Sequence, residues 1–260
     1  ACYQNRIIVM AIKKYLFILL TVLLSAYACT SVQHISKTDI RYESISSKSG
    51  IVPDDSITAM IAPYKEKLDV QMNEVIANVA EEMTRKKPES TLGNWYTDAM
   101  LSASKKAGYD AVFAISNYGG LRVPYLSAGP LTRGELYELC PFDNLLLIVD
   151  VPGNILDTLL QKIASSDGWP ISGDIRMTIK DHVMTSCTIA NKPINSTATY
   201  KVAMPDYVAN GGDDMKMLIP LPRIQTGLLV RDILIGYALE TARNGKEISA
   251  PIEGRIIIQR

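Results

Sequence analysis

The sequence predicts an α+β fold for residues 51–260, a single domain with a mixed sheet and flanking helices. Three observations carry that reading. Apolar residues recur at helical spacing in several segments, short β-branched and apolar runs stand between them, and the two kinds of segment do not alternate strictly. A stretch of about 210 residues also suits one domain.

Ile57, Met60, Ile61, Tyr64, Leu68 and Met72 recur at three- and four-residue steps after Asp54-Asp55-Ser56, which predicts an N-capped amphipathic helix burying one stripe, with Pro63 tolerated near its start. Leu92, Trp95, Ala99 and Ala103 predict a second helix, closed by Lys105-Lys106-Ala107-Gly108 with basic residues in the last turn and a glycine where a C-cap belongs. Ala111 to Ser116 reads as a short buried strand. Leu131 to Leu139 suits a helix, Leu145 to Val151 a strand, and Ile155 to Ile163 a further helix. Residues 173–204 have strand character broken at Asn191-Lys192-Pro193; a helix near Leu228 to Arg243 and a strand from Arg255 to Gln259 close the domain. No internal repeat or low-complexity tract is present.

Residues suited to ligand chemistry fall in three loops. The first is Ser116-Asn117-Tyr118-Gly119-Gly120-Leu121-Arg122, the second Cys140-Pro141-Phe142-Asp143-Asn144, and the third Met204-Pro205-Asp206-Tyr207-Val208-Ala209-Asn210-Gly211-Gly212-Asp213. A flat ring at Phe142 or Tyr207 can stack on a flat ligand, and glycines such as Gly120 and Gly211 let the backbone turn sharply and approach a ligand closely. The Asp213 carboxylate is acceptor-only and suits hydroxyl donors, and the Arg122 guanidinium is a planar fork matched to phosphate oxygens. Each has a plainer alternative. Phe142 is also a core residue in form, Asp213 a helix cap, and Arg85-Lys86-Lys87 a solvated charge run.

Together the three loops resemble the C-terminal, substrate-binding domain of the 5′-nucleotidases, in which an Asn-Gly-rich-Arg loop, a Pro-Phe and an aromatic-x-Ala-Asn-Gly-Gly-Asp loop occur in that order. Leu92-Gly93-Asn94, Asp98-Ala99, Gly129, Leu131-Thr132 and Glu253-Gly254-Arg255-Ile256 extend the resemblance over residues 51–260. It implies that Phe142 and Tyr207 clamp a nucleobase, that Asp213 takes the ribose hydroxyls, and that Asn117 and Arg122 meet the phosphate or base, with Asn210 and Gly120 in the same loops. Lys86 stands where the family has a further phosphate-contacting arginine. The chain departs from the family at Tyr118, where a third glycine is usual, at Tyr207, where Phe is common, and at Asp214-Met215, where Gly and an aromatic are usual.

The resemblance also bears on activity. Full 5′-nucleotidases carry an N-terminal metallophosphoesterase domain that holds two metal ions, and the stretch before Ile51 is too short for one. With two histidines, His34 and His182, and no EF-hand spacing among Asp206, Asp213 and Asp214, no cofactor or metal is expected on this chain. The expectation is a nucleotide-binding half of a 5′-nucleotidase-type hydrolase, its divalent metal ions held by a separate metallophosphoesterase partner. The alternative is an exported nucleotide- or nucleoside-binding protein without turnover. Equal numbers of acidic and basic residues, 27 of each, speak against a nucleic-acid partner.

Ahead of the domain, Met10-Ala11-Ile12-Lys13-Lys14, the apolar run Tyr15 to Leu24 and Ser25-Ala26-Tyr27-Ala28 have the layout of a secretory signal, which assigns residues 10–28 to a signal peptide and 1–9 to an upstream extension. Cys29 directly after the small residues resembles a lipidated lipoprotein cysteine, and residues 29–50 read as a flexible polar tether. The implied location is the bacterial cell envelope, lipid-anchored or periplasmic. Cys140 and Cys187 either pair in an exported protein or stay as two free thiols.

Overall fold

The computed structural model describes residues 13–20, 52, 54–173 and 175–259. Helix α1 covers residues 13–20, inside the anticipated signal segment; Cys29 and the tether lie outside the described residues. Residues 1–54 and 55–260 form two separate units, and the α+β fold belongs to the second.

Two four-stranded mixed sheets take the place of the one expected. The central sheet has the order β11-β6-β10-β3, with β3 Phe113–Ala114, β6 Leu145–Pro152, β10 Thr199–Pro205 and β11 Arg223–Leu229. The apolar run of β6 is continuous from Leu145 to Val149 because both faces are covered. Leu146 and Ile148, with Ala203 of β10 and Ala114 of β3, enter one core. The alternate residues Leu147, Val149, Val151, Val202, Met204 and Phe113 enter the other.

Helices α3 (Thr91–Lys106), α4 (Arg133–Leu139) and α7 (Val230–Arg243) cover the first face. Helix α5 (Gly153–Ser165) covers the second, burying Leu156, Leu159, Leu160 and Ile163 at helical spacing. Behind α5 lies the second sheet, β12-β7-β8-β9, made of Ile175–Lys180 (β7), Val183–Ile189 (β8), Lys192–Pro193 (β9) and Ile256–Gln259 (β12). Two short pairs complete the fold: β1 (Val75–Val79) with β5 (Gly129–Thr132), and β2 (Met83–Thr84) with β4 (Tyr125–Leu126).

Two expectations need correction. The first helix forms as α2, Asp55–Met72, yet no residue in it is buried, and Ile57, Met60, Ile61, Tyr64 and Leu68 all face solvent. The predicted helix of 131–139 begins later, because Gly129–Thr132 pairs with β1 and Thr132 serves as the N-cap of α4. Its hydroxyl accepts from the Glu135 amide at 3.3 Å while the Glu135 carboxylate accepts from the Thr132 amide at 2.7 Å, a reciprocal cap that fixes the start at Arg133.

Strand pairing decides where the loops go. β3 and β10 run parallel, with Phe113 opposite Val202 and Ala114 opposite Ala203, so their C-terminal ends leave the sheet side by side. β6 is antiparallel to β10, with Leu146 opposite Pro205, and its N-terminal end lies at that same edge. β11 is antiparallel to β6 and ends there too, at Leu229 opposite Leu145. Four chain segments distant in sequence therefore converge on one edge.

The C-terminal strand is fastened by Arg255, 4% exposed, whose guanidinium donates to both Asp98 carboxylate oxygens at 2.7 Å and to the Ile171 carbonyl at 2.8 Å. Replacing it leaves Asp98 on α3 and a backbone carbonyl without their donor. We expect Arg255→Met to lower unfolding stability by about 1.5–3 kcal/mol in a urea titration, the scale of lost hydrogen bonds from a charged donor.

Candidate functional site

At the shared edge, the segment after β3 enters a 3-10 turn, Tyr118–Gly120, and the buried Asn117 stands at its head. A Cβ on Gly120 would lie 3.0 Å from the Asn117 side-chain oxygen and 3.1 Å from Ser116 Oγ, so a larger residue there would crowd both side chains. The Asn117 amide nitrogen donates to Asp213 Oδ2 at 2.6 Å. A carboxylate only accepts, which fixes the orientation of that amide and leaves its oxygen buried over Gly120 without a partner.

Strand β10 feeds helix α6, Asp206–Ala209, and the turn after it takes left-handed geometry at Gly211 (φ 92°), Asp213 (φ 51°) and Asp214 (φ 64°). The Tyr207 ring lies flat on Gly212, where a Cβ would come within 2.4 Å of it. The Tyr207 hydroxyl donates to Asp213 Oδ1 at 3.2 Å. Opposite, Phe142 sits between α4 and β6 with the Arg122 guanidinium 5.5 Å from its ring centre.

These residues enclose a cavity of about 340 Å³ lined by Asn117, Gly119, Gly120, Arg122, Phe142, Asn144, Tyr207 and Asp213. Phe142 and Tyr207 are 41% and 46% exposed, so neither ring is core. The arrangement suits a flat, partly apolar ligand carrying hydroxyls at one end and an anionic group at the other. A larger groove of about 510 Å³ lies between α3 and α7, but its walls are mostly Ala99, Ala103, Ala107, Gly236 and aliphatic side chains, and none of the anticipated residues reaches it.

Two anticipated residues do not line the cavity. Asn210 turns away, its side-chain oxygen accepting from Arg223 Nη1 at 2.9 Å. Lys86 is exposed on the Pro88–Trp169 side, and its neighbour Arg85 is the one that reaches the first loop, donating to the Leu121 carbonyl with its guanidinium 5.4 Å from the Tyr118 ring centre.

Several supporting residues were not anticipated. Arg223 donates to the carbonyls of Ala209 at 3.0 Å and Leu218 at 2.8 Å, clasping the third loop. Arg231, at the start of α7 and 8% exposed, holds the second loop through Asp143 Oδ1 at 2.6 Å and stacks 4.3 Å from the Tyr137 ring centre. Tyr96 of α3 places its hydroxyl 3.4 Å from Cys140 Sγ, and burial pushes its pKa well above the usual phenol value. None of these is marked by a glycine, a turn or a periodic run. Asn144, the last residue of the second loop, completes the lining.

Cys140 and Cys187 are free thiols, and burial pushes Cys187 up to about 12. His182 pairs with Asp167 at 2.8 Å on an exposed turn. Among the described residues no group of three or more His, Cys, Asp or Glu side chains is gathered that could hold a metal ion. Nor is any described helix long and apolar enough to cross a membrane.

The chain is similar to known proteins over most of its length. The protein 5NUC of Lutzomyia longipalpis is 29% identical over 250 residues, covering 81% of this chain and 42% of that protein. A cell wall protein of Listeria monocytogenes is 28% identical, covering 79% of this chain and 29% of its own length. The crystal structure of a 5′-nucleotidase precursor from Thermus thermophilus superimposes with a TM-score of 0.68 at 26% identity, over 80% of this chain and 44% of that one. The chain thus spans less than half the length of these relatives. Residues 71–219 match the family described as 5′-nucleotidase, C-terminal domain, and the chain belongs to that family.

Proposed function

We propose that the chain is the nucleotide-binding half of a 5′-nucleotidase-type hydrolase, which converts a nucleoside 5′-phosphate and water to nucleoside and phosphate. The observation that carries this reading is the meeting of two half-exposed rings, a carboxylate and an arginine without an ion-pair partner among the described residues in one 340 Å³ cavity. The base stacks between Phe142 and Tyr207, the ribose hydroxyls donate to Asp213, and the phosphate lies toward Arg122. Asn117 holds Asp213 in place.

This chain's residues bind and orient. The divalent metal ions that activate water belong, in our reading, to a metallophosphoesterase module on a separate chain. We place the protein outside the cytoplasm, in a bacterial envelope, periplasmic or anchored through Cys29; the cell wall relative supports export. A nucleic-acid partner finds no support in the balanced charge.

Binding measured by calorimetry tests the clamp. Phe142→Ala and Tyr207→Ala should each weaken a nucleoside about tenfold or more, since a base stacked on an aromatic ring is worth about 1–3 kcal/mol. Unchanged affinity in both variants would remove the rings from the site.

The phosphate assignment has its own signature. Arg122→Ala should weaken a nucleoside 5′-monophosphate about tenfold while leaving the matching nucleoside within about twofold, because only the former presents an anion to the guanidinium. Equal losses would make Arg122 a support for the Phe142 ring.

Phosphate release should depend on an added metallophosphoesterase and decline in the Phe142, Tyr207 and Arg122 variants. Metal-dependent turnover by the purified chain alone, abolished by substitutions within it, would overturn the half-enzyme reading.

A further inference from the structure

The Asp213 carboxylate is held in an unusual way for an exposed side chain. Terminal carboxylate torsions are broad, so an exposed Asp ordinarily swings freely about its Cβ–Cγ bond. Here each oxygen has its own donor on a different loop: Asn117 Nδ2 to Oδ2 at 2.6 Å and the Tyr207 hydroxyl to Oδ1 at 3.2 Å. The phenol is fixed in turn, because the ring lies flat on Gly212, whose missing Cβ leaves it room. Two anchors on opposite oxygens define the carboxylate plane; one anchor would leave it free to rotate.

We propose that the Tyr207 hydroxyl is a specificity-determining group that fixes the Asp213 carboxylate for a vicinal diol, so that this chain selects ribonucleosides over 2′-deoxyribonucleosides. A carboxylate offers about four lone-pair sites. With one taken on each oxygen, each oxygen keeps one acceptor, and two adjacent acceptors match two adjacent hydroxyl donors. A 2′-deoxyribose satisfies only one of them, leaving the other oxygen short of a donor. The ring of Tyr207 meets the base, while its hydroxyl acts through Asp213 on the sugar. The inference rests on the nucleoside-binding reading of the cavity.

The test is calorimetry on the full chain with adenosine against 2′-deoxyadenosine and uridine against 2′-deoxyuridine, in wild type, Tyr207→Phe, Asp213→Asn and the double variant. Tyr207→Phe keeps the stacking face and removes only the hydroxyl, and its melting temperature, expected within a degree or two of wild type, checks that the loop is intact. The wild type should prefer the ribonucleoside by about tenfold, the scale of one hydrogen bond to a charged group. Tyr207→Phe should reduce that preference to about threefold or less by weakening the ribonucleoside alone. In the Asp213→Asn background the Phe substitution should have no further effect on the ratio.

An unchanged ratio, an equal loss for both sugars, or tighter ribonucleoside binding by Tyr207→Phe would each overturn the proposal; the last would mean that the hydroxyl competes with the ligand. Failure of the wild type to bind any of the four nucleosides would instead overturn the nucleoside-binding reading, and this inference with it.

Discussion

The parallel pairing of β3 with β10 is the constraint on which the site depends. Only Phe113–Ala114 and Val202–Ala203 meet in register, continued by the Ile115 amide donating to the Ala203 carbonyl at 2.9 Å, yet this contact joins segments about ninety residues apart. Parallel neighbours leave a sheet in the same direction, so Asn117 and the Tyr207 turn emerge together. An antiparallel partner arrives where its neighbour departs, which brings Phe142 to the same edge just ahead of β6. A one-residue slip of β10 would exchange Ala203 with Val202 and Met204 between the two cores, so burial on both faces enforces the register.

The arginines around the site then separate into struts and, among the described residues, a cation without an ion-pair partner. Arg223 and Arg231 spend their donors on loop carbonyls and on Asp143, and Arg85 on Leu121. A guanidinium with five donors in a fixed fork can hold several carbonyls of an irregular segment at once, which a lysine cannot do with the same geometry. The third loop needs such a clasp because Gly211, Asp213 and the adjoining Asp214 sit in left-handed backbone, the two aspartates being unfavourable there on their own. Arg122 differs from the struts. Its guanidinium rests over Phe142 and faces the cavity, positioned by a ring and not consumed by a carbonyl.

Legibility in the sequence tracks the reach of the physics. α3, β6 and α5 each bury a face against a core, so their periodicity survives in the residue order. β1, β5 and β11 are not legible: they are short or carry mixed burial, and their pairing partners are set by long-range topology. The apolar stripe of α2 is legible, but its burial is not a local property and is not found. At the site, the rings, Asn117, Arg122 and Asp213 can be found because the residues lining the cavity cluster in glycine- or proline-marked loops. Arg223 and Arg231 cannot, since a side chain that holds a distant carbonyl leaves no pattern around itself. Position in the family motif points to Lys86 over Arg85, whereas a chain leaving β2 presents adjacent residues to different sides, and here Arg85 faces the loop.

The exposure of the two rings links stability to function. Burying a large aromatic side chain stabilises a fold by roughly 2–3 kcal/mol, and this domain leaves much of that unrealised at Phe142 and Tyr207. The scaffold tolerates the loss because Gly212 and Arg122 support one face of each ring, keeping them in place without covering them. Under the proposed reading, a planar base recovers that burial and meets groups that are already oriented, so little side-chain entropy is lost on binding. The same openness bears on chemistry. Hydrolysis requires water to be positioned and bulk solvent limited around the phosphate, whereas this cavity is a cleft at a sheet edge, so a second surface must complete it. Under the same proposed reading, recognition and reaction are divided, with the rigid sheet edge supplying the grip and a metal-bearing module supplying closure.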